Sequence, residues 1–166
     1  MSGKAKKLPS TPALRLLRAK GVDFEVHRYA YVERGGTAAS SAALGIDAHR
    51  IIKTLIFEDS DGSPLVILMH GDCSVSAKDL ARQIGTKAVR PCDPAVAQRH
   101  SGYQVGGTSP FGTRKAMPVY AEISIFELER IVINGGARGV LVEIDPQVLR
   151  DLLGVVEVSV TTARGS

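Results

Sequence analysis

A chain of 166 residues, 44% hydrophobic and 23% charged, has the size and composition of one folded domain, and that composition excludes a disordered chain. The net charge of +4 comes from 21 basic and 17 acidic residues; Lys4, Lys6 and Lys7 supply three of those charges, which leaves a nearly neutral body and no broad basic face for nucleic acid. No apolar run approaches the roughly 18 residues of a membrane-spanning helix, and no apolar segment follows the N-terminal lysines as in a secretory signal, so the expected compartment is the cytoplasm and no membrane partner is expected.

Residues 1–9 read as a flexible basic tail, and a single domain is expected over 10–162. Thr11-Pro12 starts a helix, because threonine caps free N–H groups and proline fits the first helical position; Gly21 stops it. "DFEVHRY" alternates as a strand. Thr37 is placed to cap an alanine-rich helix that ends at Gly45. "RIIKTLIFE" and "PLVILMH" flank the turn "DSDGSP" and form a hairpin. Ser76 caps "AKDLARQIG", "KAVRP" is a short strand, and Asp93-Pro94 opens another helix. After a glycine-rich loop come the strand "MPVYAEI", the ambiguous "SIFELE", a second hairpin "RIVIN"–"GGARG"–"VLVEI", a helix from Asp145-Pro146 to Leu153, and a last strand in "VVEVSV". Hairpins interspersed with helices imply an α/β fold: a mixed, partly closed β-sheet surrounded by helices.

Chemistry concentrates in two places. The loop "GYQVGGTSPFGTRK", residues 102–115, nearly matches a phosphate loop, but Thr113 replaces its lysine and Arg114 its hydroxyl residue. It nearly matches a nucleophile turn at Ser109, but Pro110 lacks the N–H that should follow the nucleophile. Two readings stand: an ordinary surface loop, or a backbone cradle in which Gly106 and Gly107 admit a ligand, Pro110 stiffens the chain, and Thr108 and Ser109 offer hydroxyls. Lys53 falls on one strand face with Ile51, Leu55 and Phe57; it either meets solvent at a strand end or points into an apolar cleft. Glu143, inside "VLVEI", is read as an outward residue or a structural ion-pair partner. Cys73 and Cys92 make no metal or disulfide spacing, and the four histidines are scattered, so neither metal nor cofactor is expected.

The order of "TPALRLL", "VHRY", "IIKTLIF", "DPAVAQRHSGYQVGGTSPFGTRKAMP" and "GGARGVLVEI" resembles the YbaK family of aminoacyl-tRNA deacylases, related to the editing domain of bacterial prolyl-tRNA synthetases. The resemblance runs from Thr11 to about Val160. It implies a free-standing hydrolase acting at the 3′ end of mischarged aminoacyl-tRNA, with Cys-tRNA(Pro) the first expectation and prolyl-tRNA synthetase a possible partner. Ala-, Ser- or Pro-tRNA is the alternative substrate, and a non-catalytic aminoacyl-tRNA or nucleotide module the alternative class. Lys53 and Gly107 are the implied catalytic positions; Tyr29, Thr54, Gly106, Thr108, Ser109, Pro110, Gly135 and Gly136 are the implied substrate-binding ones. Two places depart from the family pattern: "AYVERGGTAASSAA" after Tyr29, and Leu141.

Overall fold

The computed structural model describes residues 9–162; the tail expected over 1–9 lies outside them except for Pro9. In chain order the elements begin with α1 (Pro12–Ala19), β1 (Glu25–Arg28), α2 (Gly36–Leu44), a 3-10 turn at Ala48–Arg50, β2 (Ile51–Asp59), β3 (Pro64–His70) and β4 (Ser74–Val75). They continue with α3 (Ala77–Ile84), β5 (Val89–Pro91), α4 (Pro94–Ser101), β6 (Val119–Glu122), a 3-10 turn at Ile123–Glu127, β7 (Ile131–Ala137), β8 (Val140–Ile144), α5 (Gln147–Leu153), β9 (Val156–Val158) and β10 (Thr161–Thr162). No helix among the described residues is long and apolar enough to cross a membrane.

The expected starts and stops form for the expected reasons, with exceptions. The Thr11 hydroxyl accepts from the Leu14 N–H and donates to the Gly135 carbonyl at 2.6 Å, so it both caps α1 and ties it to β7. Ser76 accepts from the Asp79 N–H at the start of α3. Thr37, by contrast, lies inside α2, whose cap is Gly35; its hydroxyl donates to the Gly71 carbonyl and fastens α2 to the turn after β3. Gly135 and Gly136, expected in a turn, belong to β7, and the strand bulges between Asn134 and Ala137. The Cys73–Ser74 region and the chain after Val158 supply a small β4–β10 pair that alternation alone did not reveal.

Eight strands make one mixed sheet in the order β1-β8-β7-β2-β3-β6-β9, with β5 added on β2. One face packs Leu14 and Leu17 of α1 and Leu149 of α5 against Ile56, Leu68, Ile133 and Val142. The other packs Leu80 of α3 against Phe57, Leu65, Ile67 and Met69. This two-sided burial explains the nearly continuous apolar run of β3.

The strand that matters most is β2. One edge pairs with β3 from Ile52 to Glu58. The other edge is divided: β7 takes Ile51 and Ile52, and β5 takes Phe57 to Asp59. Residues 53–56 have no neighbouring strand there, a gap of about 13 Å at strand rise. On one side the bulge turns β7 away. On the other, Pro91 and Pro94 frame the point where the chain leaves β5 for α4, and proline has no N–H to continue a ladder.

Behind β2, His70 is fully buried and donates from Nδ1 to the His49 carbonyl at 2.7 Å. Its Nε2 lies 2.8 Å from the Ser124 hydroxyl, which also reaches the Glu122 carboxylate at 3.1 Å. The buried Glu122 carboxylate accepts from the Ser124 N–H and, at 2.7 Å, from the Val160 N–H. Burial lowers the His70 pKa. Burial also pushes Glu122 up, but the N–H groups of Val160 and Ser124 outweigh it and hold the carboxyl below its usual range. On the outer face Glu143 meets His27 at 2.8 Å, Arg130 at 3.4 Å and Arg50 at 3.5 Å, and the His27 bond leads in lowering its pKa.

Two stability predictions follow from these contacts. Thr11→Val removes both hydroxyl bonds and lowers unfolding free energy by about 1–3 kcal/mol, read from denaturant midpoints at unchanged slope. The second is acid sensitivity. A histidine whose folded pKa is lowered stabilises fully above its unfolded value, 6.5, and that stability is lost as pH falls below it. The carboxyls of Glu122 and Glu143 add a second loss below their ordinary 4.5. Thermal melts should fall between about pH 7.5 and about pH 5.5, and His70→Asn should flatten that limb.

Candidate functional site

The gap in the sheet opens into a cleft of about 610 Å³, within the ordinary size of a small-molecule site. Because it meets the edge of β2, both faces of the strand line it, from Ile51 to Phe57. Tyr29, Tyr31 and Arg34 border it from the segment after β1, Ser74 and Val75 from β4, Cys92 and Ala97 from the start of α4, and Val105, Gly106 and Thr108 from the glycine loop. Asn134 and Leu141 close the β7–β8 side. The wall is mainly apolar with a few polar groups, the usual chemistry of a pocket that recognises a small group.

The glycine loop is firmly held. Tyr103, buried, donates its hydroxyl to the Phe111 carbonyl at 2.6 Å, and burial pushes its pKa up to about 12. The Gly107 N–H donates to the Gln104 carbonyl at 2.8 Å, and the N–H groups of Arg114 and Lys115 donate to the carbonyls of Ser101 and His100. Two side chains from the β7–β8 hairpin clamp the tip. Asn134 donates to the Gly106 carbonyl at 3.2 Å while its oxygen accepts from the Gly136 N–H at 2.7 Å. Arg138 donates to the Val105 carbonyl at 2.9 Å, and its guanidinium lies 4.8 Å from the centre of the Tyr31 ring. The glycines are required by contact. A Cβ on Gly106, where φ is +90°, would lie 2.5 Å from the Tyr31 hydroxyl. A Cβ on Gly107 would lie 2.8 Å from the Arg138 nitrogen.

Of the positions expected from sequence, the fold brings Tyr29, Lys53, Thr54, Gly106 and Thr108 together around the cleft. Lys53 is partly buried and donates from Nζ to the Cys73 carbonyl at 2.5 Å, so its charge is set against the β3–β4 turn. The Thr54 hydroxyl oxygen is buried with no hydrogen-bond partner among the described residues. Burial, then Tyr31, raises the Tyr29 pKa.

Other expected positions stand outside the cleft wall. Gly107 packs against the β7–β8 turn. Ser109 is fully buried, and its hydroxyl accepts from the Phe111 N–H at 3.1 Å, an internal turn rather than an exposed nucleophile. Pro110 is buried beside it. Gly135 and Gly136 face α1: a Cβ on the first would meet Val140, Val142 and Leu14, and on the second Tyr103 and Thr11. Their smallness lets α1 approach β7 and lets the strand bulge. Tyr31, Asn134 and Arg138 were not singled out by sequence. Tyr31 sits in the segment that departs from the family pattern, and an asparagine beside two glycines signalled only a turn.

Both thiols are held protonated. Burial, then the Asp72 bond, pushes Cys73 up to about 11, and burial with Glu58 nearby raises Cys92. Two clusters of metal-ligating types occur among the described residues: His49, Asp72 and Cys73, and Glu25, His27 and Glu143. In the first, His49 and Asp72 already bond at 2.9 Å, and the Lys53 ammonium donates to the Cys73 carbonyl. In the second, Arg50 and Arg130 occupy Glu143. Neighbouring cations disfavour a metal at either place.

Comparison with known proteins bears on this cleft. The chain is 29% identical to EbsC of Enterococcus faecalis, a proposed Cys-tRNA(Pro)/Cys-tRNA(Cys) deacylase, over 96% of this chain and 98% of that one. It is 29% identical over 85 residues to the proline–tRNA ligase of Nitratidesulfovibrio vulgaris strain DP4, spanning 51% of this chain but 15% of the ligase. The fold matches the crystal structure of a proposed trans-editing enzyme for prolyl-tRNA synthetase, with a TM-score of 0.76 and 20% identity over 94% of this chain and all of the other. The pattern of the aminoacyl-tRNA editing domain matches residues 34–152, a span that contains β2, the glycine loop and the β7–β8 hairpin. The chain belongs to the aminoacyl-tRNA editing domain family.

Proposed function

We propose that the protein is a deacylase that hydrolyses the ester of mischarged aminoacyl-tRNA, with Cys-tRNA(Pro) as its substrate. The observation that carries this reading is that the matched family segment supplies most of the cleft wall, with Lys53, Thr54, Gly106 and Thr108 on it. The likeness to EbsC along almost both whole chains supports the choice of cysteine.

The cleft suits a reaction in which the substrate supplies the nucleophile. Cys73 and Cys92 are poor nucleophiles with raised pKa values, and the Ser109 hydroxyl is buried in a turn. The substrate thiol attacks its own ester carbonyl carbon. The bond to the terminal ribose oxygen breaks, that oxygen takes up the proton the thiol gives away, and a cyclic thioester is left for water to open. The protein then has to hold a reactive conformer and stabilise developing charge. Lys53 supplies positive charge. The N–H groups of Gly106 and Thr108 make no hydrogen bond among the described residues and are available to the ester and the ribose. Gly107 spends its own N–H on Gln104 and contributes the absence of a Cβ.

The near-neutral body holds tRNA weakly by charge alone, so a synthetase partner, with prolyl-tRNA synthetase the first choice, is part of the proposal.

A deacylation panel with Cys-, Ser-, Ala- and Pro-tRNA tests the reading. Release of cysteine should be fastest, and a substrate whose thiol is replaced by hydrogen should not turn over. Hydrolysis of Ala-tRNA without hydrolysis of Cys-tRNA would overturn the substrate. Lys53→Ala should lower kcat/KM roughly 10- to 100-fold; unchanged activity removes the lysine from the mechanism. Gly107→Ala presses a methyl onto rigid backbone and should cost about 1–3 kcal/mol of stability, with loss of turnover as the loop tip shifts.

A further inference from the structure

Successive residues of a strand point their N–H and C=O groups toward opposite edges. In β2 the Ile51 carbonyl accepts from the Gly71 N–H, and the Asp59 N–H donates to the Ser63 carbonyl, so odd-numbered residues face β3. The Ile56 carbonyl accepts from the Cys92 N–H on the other side, so even-numbered residues face the edge shared by β7 and β5. There Ile52 is paired to β7, the Ile56 carbonyl is taken by Cys92, and Glu58 is paired to β5. Thr54 is left between them. Its N–H and C=O face the cleft without a hydrogen-bond partner among the described residues, and its hydroxyl oxygen has none either. Backbone groups inside a folded protein are nearly always paired, so an interior edge unit with its bonds unmade is a place for a ligand to make them.

We propose that the aminoacyl group docks on Thr54 as a one-residue strand: its α-amino group donates to the Thr54 carbonyl, and its acyl carbonyl accepts from the Thr54 N–H. This inference rests on the reading of the substrate as an aminoacyl ester. The fit is one of spacing. An α-amino acyl unit carries its donor and acceptor at the separation of a backbone residue's own, which is what the hydrogen-bonded pair of an antiparallel ladder requires. The docking recognises the α-amino acid class whatever the side chain. Selection among amino acids then falls to the face beside Thr54, because paired residues of a ladder project their side chains to the same face. The acyl side chain lies next to the Thr54 side chain, between Ile52 and Ile56, and the Thr54 hydroxyl is the nearest polar group it meets.

The test uses the unaltered protein and a stable probe, 3′-deoxy-3′-(L-cysteinylamino)adenosine, alongside its 3-mercaptopropionyl counterpart, which keeps the thiol and lacks the amine. Amide hydrogen exchange is followed by NMR and affinity by titration. At saturation the Thr54 amide should exchange at least tenfold more slowly, and the counterpart should bind at least tenfold more weakly. Unchanged Thr54 exchange at saturation, equal affinity of the two compounds, or binding of neither overturns the proposal. The deacylation panel separates the two readings. Hydrolysis with an unprotected Thr54 amide overturns the docking alone, whereas a protected Thr54 without hydrolysis of any ester overturns the catalytic reading alone.

Discussion

The structure depends on a sheet that is interrupted without being broken. β2 is bonded to β3 along its length, which keeps it rigid and buried, yet its other edge changes neighbours midway. A central strand with an unfilled stretch of ladder is costly in a protein interior unless something occupies it. Here the cost is confined to a few residues, and both flanks are secured, by β7 before the gap and by β5 and the Cys92 N–H after it. The cleft is therefore part of the sheet's architecture, not a hollow between loops, and its floor has the rigidity of a strand.

The walls are arranged so that small residues and long polar ones act together. Gly106 and Gly107 bring the loop against Tyr31 and the β7–β8 turn, and Asn134 and Arg138 then bind its carbonyls. Gly135 and Gly136 do the same service on the far side of β7, where they admit α1. One hairpin thus shapes the cleft twice: its bulge opens the gap, and its side chains hold the loop that borders it. The loop has few conformations left to lose when a ligand arrives, which favours binding by pre-organisation.

Much of this was legible in the sequence, and the limits have physical causes. Capping by Thr11 and Ser76, the hairpin around "DSDGSP" and the alternation that sets Lys53 apart from Thr54 are local signals, and they are present in the fold. The long-range contacts were not legible. Thr37 looked like a cap but found a better partner in the Gly71 carbonyl across the chain. "NGG" has turn composition, but its glycines are demanded by α1 and by a bulge, two neighbours that no local pattern announces. Two-residue strands such as β4 and β10 carry too little periodicity to be seen. In the candidate site, Lys53 and Gly106 stood out by residue type, and Thr54 only through the family resemblance. Tyr31 and Arg138 did not, because an aromatic in an irregular segment and an arginine in a turn are ordinary until the fold stacks one on the other.

The pairing of β10 with β4 has a consequence for how the cleft comes into being. Ser74 and Val75 border it, but the strand they form is completed by Thr161 and Thr162, and the Glu122 carboxylate behind it waits for the Val160 N–H. A chain emerging from the ribosome makes the hairpin of β2 and β3 early, from residues close in sequence. It cannot finish the cavity wall until nearly all of the described chain has been extruded. The wall of the cleft at β4 is thus completed from the far end of the described chain, and a chain cut short before β10 would carry most of the sheet and no complete cleft.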